Sequence, residues 1–211
     1  MSLEGSRQKT FNRINVAHSH GLRKMANYTP LDNFVAWLRF RAALPYIQGR
    51  GRVCDIGCGH EGNFLRYGRA RVKFGMGLDY QPFTTHRRDV PFVRADITKG
   101  LPLRSSEFDN VVMLAVLEHL AEPKPVLREA FRILAPGGSL VMTWPAAKLD
   151  PVLDMLQWLG LISKEMESAK HQERIPAHDL IAMLRGIGFG TFLHRRFEFG
   201  LNNLLVAWKS C

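Results

Sequence analysis

Cysteine is scarce in this sequence, which contains only three: Cys54, Cys58 and Cys211. Two of them stand four residues apart in a glycine-rich stretch, and the third is far from both. That number and spacing exclude the disulfide framework of a small secreted protein and favour a reducing, cytoplasmic compartment. A zinc site is also disfavoured, because no second cysteine pair accompanies the first. We therefore expect no bound metal.

Long apolar runs are also missing. No run reaches the roughly 18 residues that a membrane-spanning helix needs, and the N-terminus lacks the apolar segment of a signal peptide. Acidic residues are outnumbered, with 19 against 29 lysines and arginines, which gives a formal charge of +10. The basic residues are scattered rather than gathered in one run. The excess therefore fits ordinary solubility as well as an anionic partner such as RNA, acidic lipid or a phosphorylated glycan.

The sequence does have enough apolar residues for a core, 46% of 211, which suits a single α/β domain. Residues 1–30 are polar and basic and show no helical period, which predicts an N-terminal arm ahead of one domain over residues 31–211. A helix is predicted to begin at Leu31, with Asp32 as its N-cap, and to end before Pro45. Its predicted apolar face consists of Phe34, Trp37, Leu38 and Leu44.

Short apolar runs alternate with helical patterns after residue 50. Strands are predicted at 53–56, 71–78, 92–95, 109–114 and 139–143, with helices after residue 62 and at 123–134. This alternation predicts a doubly wound, mostly parallel, Rossmann-like α/β sheet whose ligands bind at the carboxyl ends of the strands. A helix at 177–187 and strands at 191–199 and 204–208 complete the sheet with an antiparallel C-terminal hairpin. Seven strands are expected in all.

One segment, at about 145–175, interrupts the alternation. It combines an apolar stripe at helical spacing with a polar run. We expect an insert at this place. It either lies over the ligand pocket as a lid or substrate wall, or covers the sheet as a surface helix.

The chain is organised around the stretch 53–65, in which an apolar strand leads into a glycine turn. Gly57, Gly59 and Gly62 have the spacing of a dinucleotide-binding turn, and Asp79 stands about 20 residues further on. Asp55 argues against that interpretation, because a carboxylate there repels a pyrophosphate but suits an ammonium group and a sulfonium centre. Asp96, after the third strand, can accept a hydrogen bond from an adenine amine.

Six segments, in order and at the same spacing, resemble the class I S-adenosylmethionine-dependent methyltransferases, in the broad group called type 11. They are Val-Cys-Asp-Ile-Gly-Cys-Gly (53–59), Gly-Leu-Asp-Tyr (77–80), Arg-Ala-Asp-Ile (94–97), Glu-Phe-Asp-Asn-Val-Val-Met (107–113), Leu-Glu-His-Leu (117–120) and Arg-Ile-Leu-Ala-Pro-Gly-Gly-Ser-Leu (132–140). Together they cover roughly residues 50–145. The resemblance is specific for the fold and cofactor and nearly silent on the methyl acceptor.

The resemblance implies S-adenosylmethionine as the cofactor, held at the ends of the first four strands. Asp55 orients the ammonium group, Asp79 binds both ribose hydroxyls and Asp96 binds the adenine amine. The implied cofactor-binding positions are Asp55, Gly57, Cys58, Gly59, Asp79, Tyr80, Asp96, Ile97, Leu114 and Ala115. The sequence departs from the family at Glu61, where glycine is usual. Either the turn is one residue longer, or Glu61 opens the next helix.

Methyl transfer is an in-line displacement at a carbon that positive sulfur already activates, so alignment matters more than acid–base chemistry. A base is needed only where the acceptor keeps its proton at neutral pH. The candidates are His119, beside Glu118 after the fourth strand, and His171 in the insert. Each also has a structural interpretation, His119 as a capping or packing residue near a helix start and His171 as a solvated surface residue.

The residues directly after the fourth strand bear on the identity of the acceptor. The family branches that methylate amino groups of bases or glutamine amides carry an Asn-Pro-Pro-Tyr-type element there, where this chain has Leu-Ala-Val-Leu (114–117). We expect a small-molecule, lipid or glycan acceptor, methylated at oxygen. Two alternatives stay open. Basic residues around the first two βα units favour an RNA methyltransferase, and Glu61 in the turn favours a non-catalytic, S-adenosylmethionine-binding scaffold protein.

Overall fold

The computed structural model describes residues 30–49, 51–82, 90–146 and 175–210. Almost all of the predicted N-terminal arm therefore lies outside the described residues. The same holds for most of the predicted insert, including His171, and for the connection 83–89 between the second and third strands.

Within this part of the chain, seven strands form one sheet in the order β3-β2-β1-β4-β5-β7-β6. The strands are β1 (Gly51–Ile56), β2 (Val72–Asp79), β3 (Phe92–Arg94), β4 (Phe108–Leu114), β5 (Leu134–Pro145), β6 (Phe189–Phe197) and β7 (Asn202–Lys209). Strands β1 to β5 pair in parallel, and β7 pairs antiparallel with both β5 and β6. The predicted mostly parallel sheet with an antiparallel C-terminal hairpin is confirmed.

Helices cover both faces of this sheet. They are α1 (Pro30–Ala43), α2 (Asn63–Tyr67), α3 (Pro123–Ile133) and α4 (Ala177–Ile187). One apolar cluster joins α1 and α2 to one face through Ala43 and Phe64. A larger cluster joins α3 and α4 to the other face through Leu127 and Leu184. Strands that are buried on both faces must be apolar throughout, which is why β1 and β4 appear in the sequence as short continuous apolar runs.

Helix α1 differs from its prediction. It begins at Pro30, whose fixed φ suits a first helical turn, and Asp32 lies inside that turn instead of capping it. Phe34 and Trp37, predicted to be buried, are 52% and 37% exposed and stack on each other with ring centroids 5.8 Å apart. The helix buries its C-terminal end instead, where small alanines pack against the core.

Several predicted boundaries were also wrong. Strand β5 begins at Leu134, which was predicted as the last residue of a helix, and not at the predicted start, residue 139. Strand β7 begins at Asn202, so the predicted turn residues Asn202 and Asn203 are buried in a strand. Each side-chain amide has one partner there: the Asn202 Nδ2 donates to Glu198, and the Asn203 Oδ1 lies 3.1 Å from the His194 Nε2. Hydrogen bonding of this kind makes a buried asparagine tolerable.

None of the helices in the described ranges is both long and apolar enough to cross a membrane.

Candidate functional site

The strand order reverses at β1. From β1 the chain adds β2 and β3 on one side of the sheet, and then β4 and β5 on the other side. In an open α/β sheet the crevice at such a reversal, outside the carboxyl ends of the strands, is where ligands bind. The ends of β1, β2 and β4 bring Asp55, Asp79 and Leu114 to this edge. We call it the cofactor edge.

The turn after β1 is tied to β2. The amides of Gly57 and Cys58 both donate to the carbonyl of Leu78, at 2.8 and 3.1 Å. Gly57 has a φ of +74°, and a Cβ there would lie 2.5 Å from the Val116 Cγ2. Gly59 has a φ of +69°, yet a Cβ there would meet nothing within 4 Å. Glycine at 57 is therefore required by packing as well as conformation, whereas Gly59 faces open space.

Asp79 fixes the far side of the turn. Its Oδ2 accepts a hydrogen bond from the Gly59 amide, and its Oδ1 accepts one from the Gln81 amide, each at 2.9 Å. Only 8% of Asp79 is exposed. Each carboxylate oxygen has a second lone pair in reserve, so the group is held rigidly and can still accept hydrogen bonds from a ligand.

Asp55 lies behind this carboxylate and is only 2% exposed. Burial and, in the same direction, the negative charge of Asp79 raise the pKa of Asp55 from 3.8 to about 7. Two carboxyl groups brought together out of water create a site that stabilises a positive charge. Perturbed pKa values in a crevice are typical of functional sites.

The two thiols near the turn have a packing role. Burial raises the pKa of both Cys54 and Cys58, so both thiols stay protonated at neutral pH. A Cβ on Gly77 would lie only 2.6 Å from the Cys58 Sγ, so the thiol fills the space that a side chain at position 77 would need. Across the described ranges, no group of three or more His, Cys, Asp or Glu residues has the geometry of a metal site. Neither thiol is suited to act as a nucleophile.

Asp96 and Ile97 lie one strand further along the cofactor edge, after β3. The Asp96 Oδ1 accepts hydrogen bonds from the Thr98 backbone amide at 3.1 Å and from its hydroxyl at 2.7 Å, and the Lys99 Nζ lies 3.2 Å from Oδ2. The hydrogen bond from the Thr98 side chain lowers the pKa of Asp96. Asp96 thus caps the 3-10 turn Ile97–Lys99, and its carboxylate is exposed.

Tyr80 comes directly after β2 and is 61% exposed, with its carbonyl accepting a hydrogen bond from the Arg94 Nε at 2.9 Å. Its ring is open to solvent beside the carboxylate of Asp79. A flat, exposed aromatic surface at this place suits stacking against a ring of a bound ligand.

The chain turns sharply at the end of β4. Ala115 has a φ of +57°, and its amide donates to the carbonyl of Thr143 at 2.9 Å. A non-glycine residue in this conformation is strained, and such strain concentrates at functional sites. Sequence reasoning placed Ala115 here but missed the strain, for which no sequence pattern is diagnostic. His119 ends the next 3-10 turn, Leu117–His119, with an exposed side chain, and Glu118 beside it is buried.

The departure at Glu61 has a structural explanation. Helix α2 begins at Asn63, and Gly62 occupies its N-cap position with a φ of +61°. Glu61 therefore precedes the helix and belongs to the turn, where its Oε2 accepts a hydrogen bond from the Asn63 Nδ2 at 3.1 Å. The longer turn, one of the two predicted alternatives, is the one observed.

Comparison with known proteins agrees with this geometry. The family model described as "Methyltransferase domain" matches residues 31–191. A protein of Mycolicibacterium smegmatis named "Probable S-adenosylmethionine-dependent methyltransferase" is 33% identical over 44% of this chain and 37% of its own length. The malonyl-[acyl-carrier protein] O-methyltransferase of Enterobacter lignolyticus is 28% identical over 74% of this chain and 59% of its own. Other relatives are named as methyltransferases of tRNA and of demethylrifamycin, and one is named as a tRNA U34 carboxymethyltransferase.

The fold has solved counterparts. An S-adenosylmethionine-dependent methyltransferase of Archaeoglobus fulgidus superposes with a TM-score of 0.67 at 18% identity, over 83% of this chain and 94% of that one. The chain spans between 34% and 65% of the length of the first curated relatives it matches. The family match covers well over half of the chain and includes the whole cofactor edge. This chain belongs to the class I S-adenosylmethionine-dependent methyltransferases.

Proposed function

We propose that the protein transfers the methyl group of S-adenosylmethionine to an oxygen atom of a small-molecule, lipid or glycan acceptor. Asp79 binds the ribose hydroxyls with the lone pairs that Gly59 and Gln81 leave open. Asp55 orients the ammonium group, and the open space at Gly59 admits the methionyl part. A bound cation offsets the repulsion between the two buried carboxyl groups, which is why they fit this cofactor.

The remaining cofactor contacts lie along the edge of the sheet. Tyr80 borders the adenine, and the Ile97 backbone faces the ring from the next strand. The Asp96 Oδ1 already accepts two hydrogen bonds from Thr98, so its Oδ2, which lies 3.2 Å from the Lys99 Nζ, is the atom that binds the adenine amine. Gly57 and Cys58 shape the turn, and Leu114 and Ala115 line the methionine side.

The observation that carries the choice of acceptor atom is the apolar end of β4. Residues 114–117 are Leu-Ala-Val-Leu, whose side chains carry no polar atom, and the Ala115 amide donates to the carbonyl of Thr143. This segment therefore provides no side-chain oxygen to hold an acceptor amino group. An acceptor oxygen that is already ionised needs no such partner.

The chain supplies alignment and exclusion of water, which in favourable cases lower a barrier by about 7–11 kcal/mol, while S-adenosylmethionine supplies the activated methyl group. Where the acceptor keeps its proton, His119 is our candidate to take it, because it is exposed at the cofactor edge beside Glu118. His171 remains a second candidate. His119→Gln is expected to lower kcat and to remove the corresponding limb of the pH–rate profile only for an acceptor that is protonated at neutral pH.

The test traces the methyl group. The protein is incubated with S-adenosylmethionine labelled at the methyl carbon and with RNA, lipid, glycan and small-molecule fractions of a cell extract. We expect nuclease-resistant label in one of the last three fractions and none with the Asp79→Ala variant. Label in the RNA fraction, or binding of the cofactor in calorimetry without transfer to any fraction, contradicts the proposed acceptor class.

An RNA acceptor is the second candidate. Between Gly62 and Leu78 the chain has four basic residues and no acidic one, and Arg69, Arg71 and Lys73 are exposed. A relative named as a tRNA methyltransferase and another named as a tRNA carboxymethyltransferase are consistent with it. Nuclease-sensitive label and RNA binding that weakens steeply with salt would support this candidate over the first.

A further inference from the structure

A pocket of about 200 Å³ opens on the face of β2 that carries α2, at the end of that strand remote from the cofactor. Nine described residues line it. They come from α2 and the turn after it (Leu65, Arg66, Arg69), from the first half of β2 (Val72, Lys73, Phe74, Gly75) and from the approach to β3 (Val90, Pro91). Nothing in the cofactor site accounts for this cavity. We call it the basic pocket.

The shortness of β3 explains why the pocket exists. Strand β3 pairs with Gly77–Asp79, so among the described residues the first half of β2 has a paired neighbour, β1, on one side alone. The Gly77 amide points towards the β3 side, where it donates to the carbonyl of Pro91 at 2.9 Å. Because backbone groups alternate along a regular strand, the amide of Gly75 points to that same side. Gly75 adds no side chain to fill the space.

The lining is basic and has an apolar floor. Arg66, Arg69 and Lys73 contribute three cations, and none of the nine lining residues is acidic. Arg69 and Lys73 are exposed, and neither side chain forms an ion pair with another residue in the part of the chain that the structure describes. One guanidinium group can donate two parallel hydrogen bonds to two oxygens of a phosphate, and a backbone amide adds a further directional donor. The combination is suited to an oxyanion.

The size of the pocket further restricts the range of ligands that fit it. A water molecule takes up about 30 Å³ in the liquid, so the cavity exceeds what a bare phosphate needs. Leu65 and Val72 provide an apolar surface beside the cations. The pocket therefore fits a phosphate together with an attached organic group such as a sugar.

The basic pocket is distinct from the cofactor site. Residues 72–75 precede Asp79 by four to seven positions along one strand, which corresponds to about 13–23 Å at about 3.3 Å per residue. A ligand here lies too far from the transferred methyl group to be the reacting oxygen. The phosphate of such a ligand therefore serves to anchor the ligand to the protein or to signal its presence.

We propose that the basic pocket binds a phosphate ester, carried either by a free nucleotide-like molecule or by an RNA backbone. The site is independent of the methyl acceptor proposed above. Its cations are Arg69 and Lys73, with Arg66 beside them, and the amide of Gly75 is the directed donor.

The test compares two double variants of equal charge. Arg69→Gln/Lys73→Gln removes two cations from the pocket. Lys124→Gln/Arg128→Gln removes one lysine and one arginine, also four residues apart and exposed, from α3 on the other face of the sheet. Uridine 5′-monophosphate is titrated by monitoring the Gly75 amide in NMR spectra, and a fluorescent 12-nucleotide RNA is titrated by anisotropy. S-adenosylmethionine affinity, measured in parallel, reports the integrity of the fold and the cofactor site.

We expect the pocket variant to lose at least about tenfold in affinity for one of the two probes, with the α3 variant and cofactor affinity unchanged. A loss for the mononucleotide identifies a small phosphate ester, and a loss for the RNA alone identifies a nucleic-acid backbone. The proposal is overturned if wild type binds neither probe, or if both double variants lose affinity equally, because general charge would then explain the binding.

Discussion

The amide of Gly59 and the carboxylate of Asp79 are joined by a hydrogen bond of 2.9 Å. This bond connects the glycine turn after β1 to the end of β2 across the cofactor edge. The same carboxylate also accepts the amide of Gln81. One side chain thus shapes the turn and is the proposed partner of the ribose. Cofactor binding and turn geometry are therefore coupled through Asp79.

Asp79→Ala is expected to weaken S-adenosylmethionine binding about 100-fold. The change removes the two proposed charge-assisted hydrogen bonds to the ribose and the two that order the turn, and a loss of about 3 kcal/mol corresponds to that factor. Asp79→Asn keeps the size of the side chain but not its charge, so its affinity for S-adenosylmethionine should lie between those of wild type and Asp79→Ala. Calorimetry measures both, with Asp179→Asn, an exposed carboxylate on α4, as the control. An unchanged affinity in Asp79→Ala would remove Asp79 from the ribose site.

The two glycines of the turn should respond differently to alanine. Gly57→Ala places a Cβ 2.5 Å from the Val116 Cγ2 and also strains a φ of +74°, so we expect a loss of about 3 kcal/mol or more in the free energy of unfolding. Gly59→Ala strains the backbone alone, because no atom lies within 4 Å, and should cost about 1 kcal/mol. Denaturant unfolding measures both.

Val116→Ala provides the control for that comparison. It removes the methyl group that the new Cβ meets, so the double variant Gly57→Ala/Val116→Ala should be more stable than the sum of the two single changes. Strict additivity would mean that backbone conformation, and not contact with Val116, makes glycine necessary at position 57.

The sheet and the acidic ends of its strands could be predicted from the sequence because both depend on local patterns. Asp55 and Asp79 each stand at the end of an apolar run, and parallel strands end at one edge. The contact between Gly57 and Val116 joins positions far apart in the chain and has no local pattern. Only the folded chain shows why that glycine, and not Gly59, is fixed by packing.

Helix α1 and the C-terminal hairpin show a second limit on what can be predicted from the sequence. The spacing of Phe34 and Trp37 suits a buried face, yet both are exposed, because which side of a helix meets the sheet is decided by long-range packing. Asn202 and Asn203 have the composition of a turn but lie in β7. The partners that make their burial tolerable, Glu198 and His194, become neighbours only when the hairpin forms.

The stability of the cofactor-free protein should depend on pH through Asp55. Its folded-state pKa of about 7 lies above its ordinary value of 3.8, so between these values the folded state holds a proton that the unfolded chain has lost. The free energy of unfolding therefore falls as pH rises from about 4 to about 7, by at most about 4 kcal/mol. Asp55→Asn should flatten this decline, and Asp179→Asn should leave it unchanged. Denaturant unfolding at a series of pH values across this range measures the decline. If the free energy of unfolding changed with pH equally in wild type and Asp55→Asn, the assignment to Asp55 would be contradicted.

The turn between β6 and β7 stores strain that a single substitution should release. Glu198 and Phe199 have φ values of +51° and +54°, and each such residue costs about 1–2 kcal/mol. The Phe199 side chain is fully exposed, so removing it forfeits no packing. Phe199→Gly is expected to raise the free energy of unfolding by about 1 kcal/mol, after the greater freedom of glycine in the unfolded chain is deducted. Phe199→Ala keeps the Cβ and should change it by less than about 0.5 kcal/mol.

This turn lies at the cofactor edge, because Asn202 pairs with Pro145 at the end of β5 and the Ala146 amide donates to the Leu201 carbonyl at 2.8 Å. Strain and an exposed aromatic ring at that place are typical of a ligand-contacting element. Both variants should therefore raise the KM for the acceptor while leaving S-adenosylmethionine affinity unchanged. Steady-state kinetics separates the two effects, since stability should rise only in Phe199→Gly and KM should rise in both. A stabilised Phe199→Gly enzyme with an unaltered KM would show that the strain has no part in acceptor binding.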